Sequence, residues 1–261
     1  MVIAAAAGLL GGCGSGGGST ASAAPPSAAP TPAAAASTPQ PQRVLAGKVI
    51  VIDPGHNGGN AAHPEIINKK VNVINGFKPC NSTGTATNDD YSEHAFTWDV
   101  ANRMAKILRA KGAKVILTRK NDKGAGPCVD ERAKIANRAH ADASLAIHGD
   151  GAPARGHGFH IIEPAVLKGH NESVVPKSRR LGLDMRNAFH QGTGMPYSTY
   201  LGKNGLDVRS DLGGLNVATV PAVFIECGNM RNAGDAAKMK SAAGRQRMAE
   251  ALSQGFENFL S

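Results

Sequence analysis

Short apolar runs rich in β-branched residues alternate along the chain with amphipathic stretches of helical period, and this alternation limits the fold more than any other feature. "KVIVID" (48–53), "AKVILTR" (113–119), "DASLAIH" (142–148) and "VPAVFIE" (220–226) each have strand length. "GHGFHIIE" (156–163) reads as a further strand. Between them, "YSEHAFTWDVANRMAKILRAKG" places Phe96, Val100, Met104, Ile107 and Leu108 at helical spacing, with Asp90 or Ser92 to cap the start and Gly112 to stop it. "VDERAKIANRAHA", "ESVVPKSRRLGLDMRNAFHQ" and "NAGDAAKMKSAAGRQRMAEALSQGFENFL" read as further helices. The expected fold class is therefore α/β, a mainly parallel twisted sheet in a single domain with helices covering both faces. Ligands of such sheets gather at the carboxyl ends of the strands. A long loop from Pro54 to Asp90 carries "VNVINGFKPC", which predicts a small hairpin about Asn75 and Gly76.

That folded domain is expected over residues 45–261. The first 42 residues hold no Lys, Arg, Asp or Glu. Residues 14–44, dominated by Ala, Pro, Gly and Ser, read as a disordered tether, because they offer too little apolar surface to offset their ordering entropy. Residues 1–13, "MVIAAAAGLLGGC", read as an export signal whose "LLGGC" looks like a lipobox with Cys13 as the lipid-bearing residue. The apolar run is too short to span a bilayer, which takes roughly 20 residues. The expected location is the periplasm or cell envelope, touching membrane only through a lipid on Cys13.

A formal charge of +9 and a pI near 9.6 suit an anionic partner. The positive residues are scattered and aromatics make up only 4% of the chain, so the stacking platform of a nucleic-acid binder is missing. Gly12, Gly14 and Gly17 match G-x-G-x-x-G, but no strand precedes them and the match is noise. No G-x-S-x-G elbow or Walker A loop is present. Cys80 and Cys128 both lie in turn-rich loops and are expected to pair in an oxidising envelope, although four cysteines permit three full pairings. Cys227 ends an apolar run and reads as a small buried side chain.

Polar residues interrupt the apolar pattern at corresponding places. His56 follows the first strand, His148 closes "SLAIH" and Glu226 closes "AVFIE". Glu93 precedes Phe96 by three and Val100 by seven, which puts its carboxylate on the buried stripe of its helix. An ionised carboxylate there is costly without a positive partner, and a divalent metal is one. Two imidazoles and one carboxylate leave a fourth position open on tetrahedral zinc, the pattern of a hydrolytic site. His56, Glu93 and His148 are thus the candidate ligands of Zn²⁺, with Glu226 outside them. Rival readings stand beside this one. His63 and Glu65 form a second candidate pair in an irregular loop, and Glu93 is also placed to act as a simple N-terminal helix charge. His94 points off the stripe and reads as surface. His157 and His160, three apart on one strand, are expected on opposite faces, one of them as a packing or substrate contact.

In order and type, "VIDPGHNGG", "GAKVILTR", "RAKIANRAHADASLAIHGDG" and "VPAVFIECGNMRN" resemble the zinc-dependent N-acetylmuramoyl-L-alanine amidases of the amidase-3 type. The resemblance spans nearly the whole domain. It implies Zn²⁺ held by His56, Glu93 and His148, Glu226 as catalytic general base and acid, and peptidoglycan or muropeptide fragments as substrate, with the protein acting as a monomer. "LAIHGDG" departs from the family's serine and asparagine around the second histidine. The long loop carrying Cys80, with Cys128 opposite, resembles that of mycobacterial single-domain members, where it is stapled near the site. Arg209 and Asp211, in the glycine-rich "GKNGLDVRSDLGGLN", are candidate substrate contacts on a cleft wall, Arg209 toward a peptide carboxylate. A catalytically inactive wall-binding or regulatory module and a zinc carboxypeptidase acting on stem peptides are the alternative functions.

Overall fold

The computed structural model describes residues 11–14, 16–19 and 43–261. Most of the segment read as an export signal, and most of the tether, fall outside the described residues. In chain order the elements are β1 (Val49–Pro54), α1 (Pro64–Ile67), β2 (Lys70–Asn72), β3 (Phe77–Pro79), α2 (Glu93–Ala110), β4 (Lys114–Leu117), α3 (Val129–Arg138) and β5 (Ala143–Asp150). They continue with β6 (His160–Pro164), α4 (Val175–Thr193), β7 (Leu206–Arg209), α5 (Gly213–Asn216), β8 (Ala222–Asn229), α6 (Ala233–Lys240) and α7 (Ala242–Leu260). Among the described residues, six strands form one sheet in the order β4-β1-β5-β8-β6-β7. The first four run parallel, and β6 turns antiparallel to β8, with β7 parallel to β6. No described helix is long and apolar enough to cross a membrane.

Alternation along the central strands assigns two unequal faces. Ile50, Ile52, Leu145, Ile147, Val223 and Ile225 share one large core with side chains of α2, α4 and α7. The stripe of α2 supplies Phe96, Val100, Met104 and Leu108, all fully buried, which together contribute roughly 6–12 kcal/mol. That gain outweighs the cost of drawing the first residue of the helix, Glu93, into the protein. The opposite face is covered thinly, by Ala136 of α3 against Val51 and by Leu215 of the single-turn α5 against Ile162 and Ala222. Near the carboxyl edge this face is open, and Asp53, His148 and Glu226 fall on it by register, Asp53 beside Ala146 and His148 beside Glu226.

Several local expectations need adjustment. The hairpin forms as expected, with Asn72 opposite Phe77. The strand expected from residue 156 begins only at His160, because Gly158 adopts φ +90° and breaks the extended path. His157 therefore precedes the strand, and the opposite-face argument for the two histidines does not apply. "LDVR", within the glycine-rich segment for which no strand is expected, pairs with β6 as the edge strand β7. The closing helix is two helices, since Ser241 leaves helical conformation and caps α7 by accepting a hydrogen bond from Gly244 N–H.

Two buried arginines fix the turn after β1. Arg132 of α3 donates from Nη1 to Asp53 Oδ1 (2.6 Å) and Pro54 O (2.7 Å), from Nη2 to His56 O (2.7 Å), and from Nε to Pro127 O (2.9 Å). Arg119, just past β4, donates to Pro54 O (3.0 Å), His94 O (2.8 Å) and Asp122 Oδ1 (2.8 Å). The backbone of His56 is thereby tied to α3, and the turn that carries it to the first turn of α2. Burial works to raise the Asp53 carboxyl, but Arg132 beside it and the Thr118 hydroxyl hold it below its usual range.

Cys80 and Cys128 form a disulfide closing 48 residues of sequence. Val129 N–H also donates to Cys80 O (2.8 Å), and Asn81 Nδ2 donates to Pro127 O (2.8 Å), so the insertion is docked against the entry to α3. Replacing both cysteines with alanine is expected to lower stability by up to about 4 kcal/mol on the chain-entropy account, read as a lower urea midpoint. Arg132→Met strands the buried Asp53 charge and should cost about 3–5 kcal/mol at pH 7. Asp53 is depressed in the folded state, so its contribution is present above the unfolded pKa and fades as pH falls through the folded one. The gap between wild type and Arg132→Met should accordingly narrow on acidification below ~4; a gap that stayed constant with pH would contradict the pairing.

Candidate active site

Glu93 is the first residue of α2, is 4% exposed, and points along the carboxyl edge of the sheet. Its Oε1 lies 3.0 Å from His56 Nε2 and 2.9 Å from His148 Nδ1 and accepts from Gly149 N–H (3.2 Å), while Oε2 accepts from Thr85 N–H (2.9 Å). Burial works to raise the Glu93 carboxyl, and the two imidazoles more than reverse that, holding it far below the usual carboxylate range. The candidate ligand atoms of His56, Glu93 and His148 all lie within 4.8 Å of one another. Donors on one tetrahedral zinc, with bonds of ~2.0–2.1 Å, sit roughly 3.3 Å apart.

Second contacts orient these groups. His56 Nδ1 faces Ser82 O at 3.1 Å, and Asn60 Nδ2 donates to the same carbonyl at 2.7 Å. A proton on Nδ1 satisfies that carbonyl and leaves the Nε2 lone pair aimed at a carboxylate oxygen. Two lone pairs 3.0 Å apart repel unless a proton or a cation lies between them. The surrounding backbone is shaped for close approach. A Cβ on Gly55 would fall 2.3 Å from the His148 ring, and one on Gly84, at φ +80°, would fall 2.8 Å from Glu93 Oε2 and 2.9 Å from His56. The ring of Phe224 stacks on the His148 ring with centroids 5.0 Å apart. The donor set, its geometry and its glycine cradle all fit a divalent cation.

Glu226 stands beside His148 across the β5–β8 register, half-buried, with its Oε2 enclosed and unpartnered among the described residues. Burial raises its carboxyl well above the ordinary range, and the charges of Glu93 and Asp150 push it in the same direction. Two adjoining cavities meet at His56 and His148. One is lined by Lys78, Pro79, Val129, Leu212 and Gly213, the other by Thr85, Asp150, Arg209 and Glu226.

The rivals separate from this cluster. His63 and Glu65 are exposed and pair with each other at 3.0 Å. His94 is half-buried rather than surface, with Nδ1 2.8 Å from Asp122 Oδ2, because Arg119 draws Asp122 beneath it. Arg209 and Asp211 do line the cleft, but as partners of each other: Nε and Nη2 each donate to the Asp211 carboxylate at 2.8 Å, and Lys78 of the hairpin lies 3.8 Å from the same group. The fork expected to meet a peptide carboxylate is therefore already engaged. Sequence reasoning passed over Arg119, Arg132 and Asn60. The two arginines stood within the "LTR" and "RAKIAN" motifs, and their burial is the signal a search for exposed ligands overlooks.

A family model described as N-acetylmuramoyl-L-alanine amidase (Amidase_3) matches residues 50–258. The chain is 44% identical over 217 residues to N-acetylmuramoyl-L-alanine amidase Rv3717 of Mycobacterium tuberculosis, a match covering 83% of this chain and 88% of the relative. The crystal structure of the N-acetylmuramyl-L-alanine amidase Ami1 of Mycobacterium smegmatis superposes with a TM-score of 0.78 at 42% identity, covering 83% of this chain and 98% of that one. The apo form of Ami1 from Mycobacterium abscessus gives 0.77 at 42% identity, covering 83% and 100%. The chain belongs to the N-acetylmuramoyl-L-alanine amidase family of the amidase-3 type.

Proposed function

We propose that this protein hydrolyses the amide between N-acetylmuramic acid and L-alanine in peptidoglycan or its fragments, with Zn²⁺ held by His56, Glu93 and His148 and Glu226 as the proton carrier. The observation that carries the reading is the convergence of His56, Glu93 and His148, whose ligand atoms all lie within 4.8 Å of one another, where one divalent cation would join them. Zinc bound there would supply a Lewis acid for the amide carbonyl and lower the pKa of a coordinated water toward ~7.

The remaining work falls to the chain's own groups. Glu226 accepts a proton as water adds to the carbonyl carbon, then delivers it to the departing nitrogen. The C–N bond breaks, a carboxylate forms on the lactyl group, and the L-alanine amine leaves. Because burial and the charges of Glu93 and Asp150 raise Glu226, the proton it takes is held long enough to be passed on. Ser82 and Thr85 keep His56 and Glu93 in place, and Phe224 and Leu212 wall the cleft against bulk water.

A carboxypeptidase on stem peptides would need a free cation to seat a terminal carboxylate. The cleft cations Arg209 and Lys78 both face Asp211, which favours the amidase reading over that one. Export to the envelope, with lipid on an exposed Cys13, is the matching proposal for location.

Digestion of purified muropeptides should release free L-alanine amino groups and intact sugars, identified by mass spectrometry. A shortened peptide would instead indicate the carboxypeptidase, and no product a binding module. Glu226→Gln is expected to keep its zinc and lose about 10²–10⁴-fold in kcat, whereas His56→Ala should lose the metal too. Turnover of Glu226→Gln at the wild-type rate would remove that residue from the role. Gly84→Ala, which crowds both Glu93 and His56, should weaken metal binding by about 10–100-fold, measured by competition with a chelator.

A further inference from the structure

His160 opens β6 fully buried, and neither Nδ1 nor Nε2 has a hydrogen-bond partner among the described residues. Buried polar atoms are paired in roughly nine cases out of ten, so a histidine with both nitrogens unpaired calls for a cause. Oε2 of Glu226 is unpaired in the same way. The two residues are register partners on the antiparallel strands β6 and β8. Such partners share a sheet face with Cβ atoms about 4.5–5.5 Å apart, a span one hydrogen bond can close. The Tyr200 ring packs against His160 in a T-shaped contact with centroids 6.0 Å apart.

The geometry points to His160 as a positioning residue for the hydrolysis: the two unpaired groups face each other across the register without bonding in this structure, and a rotation that brings the ring N–H onto Oε2 of Glu226 leaves Oε1 free to face the cleft and carry the proton. This rests on Glu226 being the proton carrier. The charged groups facing the imidazole are Asp150 of β5 and Asp207 and Arg209 of β7. Burial is the largest influence on the ring and keeps it neutral, against the pull of the two aspartates and with the help of Arg209. A neutral donor steadies one carboxylate oxygen without the full charge of an ion pair, which would pin Glu226 in its ionised form. Of the other charged groups that act on Glu226, Glu93 and Asp150 are acceptors, and Arg209 spends Nε and Nη2 on the Asp211 carboxylate.

The test compares His160→Phe and His160→Gln in the zinc-loaded full chain on purified muropeptide. Loss of the donor in His160→Phe should lower kcat at least about tenfold while KM stays within about twofold, with zinc content and Tm not reduced. Glutamine keeps an N–H donor and should recover kcat to within about threefold of wild type. A kcat for His160→Phe within about twofold of wild type, or equal losses in both variants, overturns the assignment. Should His160→Phe fail to fold, ¹⁵N-histidine spectra of wild type and Glu226→Gln decide. A shift of the His160 ring resonances is expected, and identical resonances overturn it. If Glu226→Gln is itself fully active, the proton-carrier reading fails and takes this inference with it; if only His160→Phe is fully active, this inference alone fails.

Discussion

A carboxylate buried at the first turn of a helix is the constraint around which this structure is arranged. Glu93 is drawn inside by the apolar stripe behind it, and the protein then surrounds it with two imidazoles and two backbone N–H groups. The backbone donors satisfy part of its charge. His56 is oriented by Ser82 O on its Nδ1 side, so that Nε2 is the ring atom turned toward the acid. A buried carboxylate needs something positive beside it, and under the proposed function a divalent cation would take these three groups as ligands.

Holding that arrangement requires loops with no regular structure of their own to be as firm as the sheet. Arg119 and Arg132 accomplish this by spending their fixed forks on backbone carbonyls of Pro54, His56 and His94, with Asp53 balancing one charge and Asp122 the other. Asn60 and the Cys80–Cys128 bridge do the same for the insertion that supplies Ser82 O. The thin cover on one face of the sheet is the counterpart of this rigidity. It leaves a cleft beside His148 and Glu226 into which a polymer can be laid.

Much of this was legible in the sequence wherever a residue broke a period. His148 and Glu226 end runs that are otherwise apolar, and Glu93 sits on a stripe that should be greasy, so the site was marked by violations of pattern. The helix stripe of α2 and the central parallel strands β1, β5 and β8 were readable because burial along most of their length makes their composition unambiguous. What stayed hidden depended on tertiary pairing. An arginine reads as surface until its carbonyl partners are known, and Ser82 acts through a backbone oxygen that any residue possesses. β7 was concealed because an edge strand of four residues needs only one neighbour. Ser241 interrupted a continuous helical period through a local capping bond that composition does not announce. His160 looked like a member of an alternating strand, and only the β6–β8 register makes it a neighbour of Glu226.

The central claim is that Glu93 and the two histidines share one cation. An anomalous difference map of crystals grown with zinc, collected on either side of the zinc absorption edge, tests it most directly. The account predicts a single strong peak lying about 2.0–2.2 Å from side-chain atoms of His56, Glu93 and His148 together. A peak seated on His63 and Glu65, or none at the trio at full zinc loading, would contradict it.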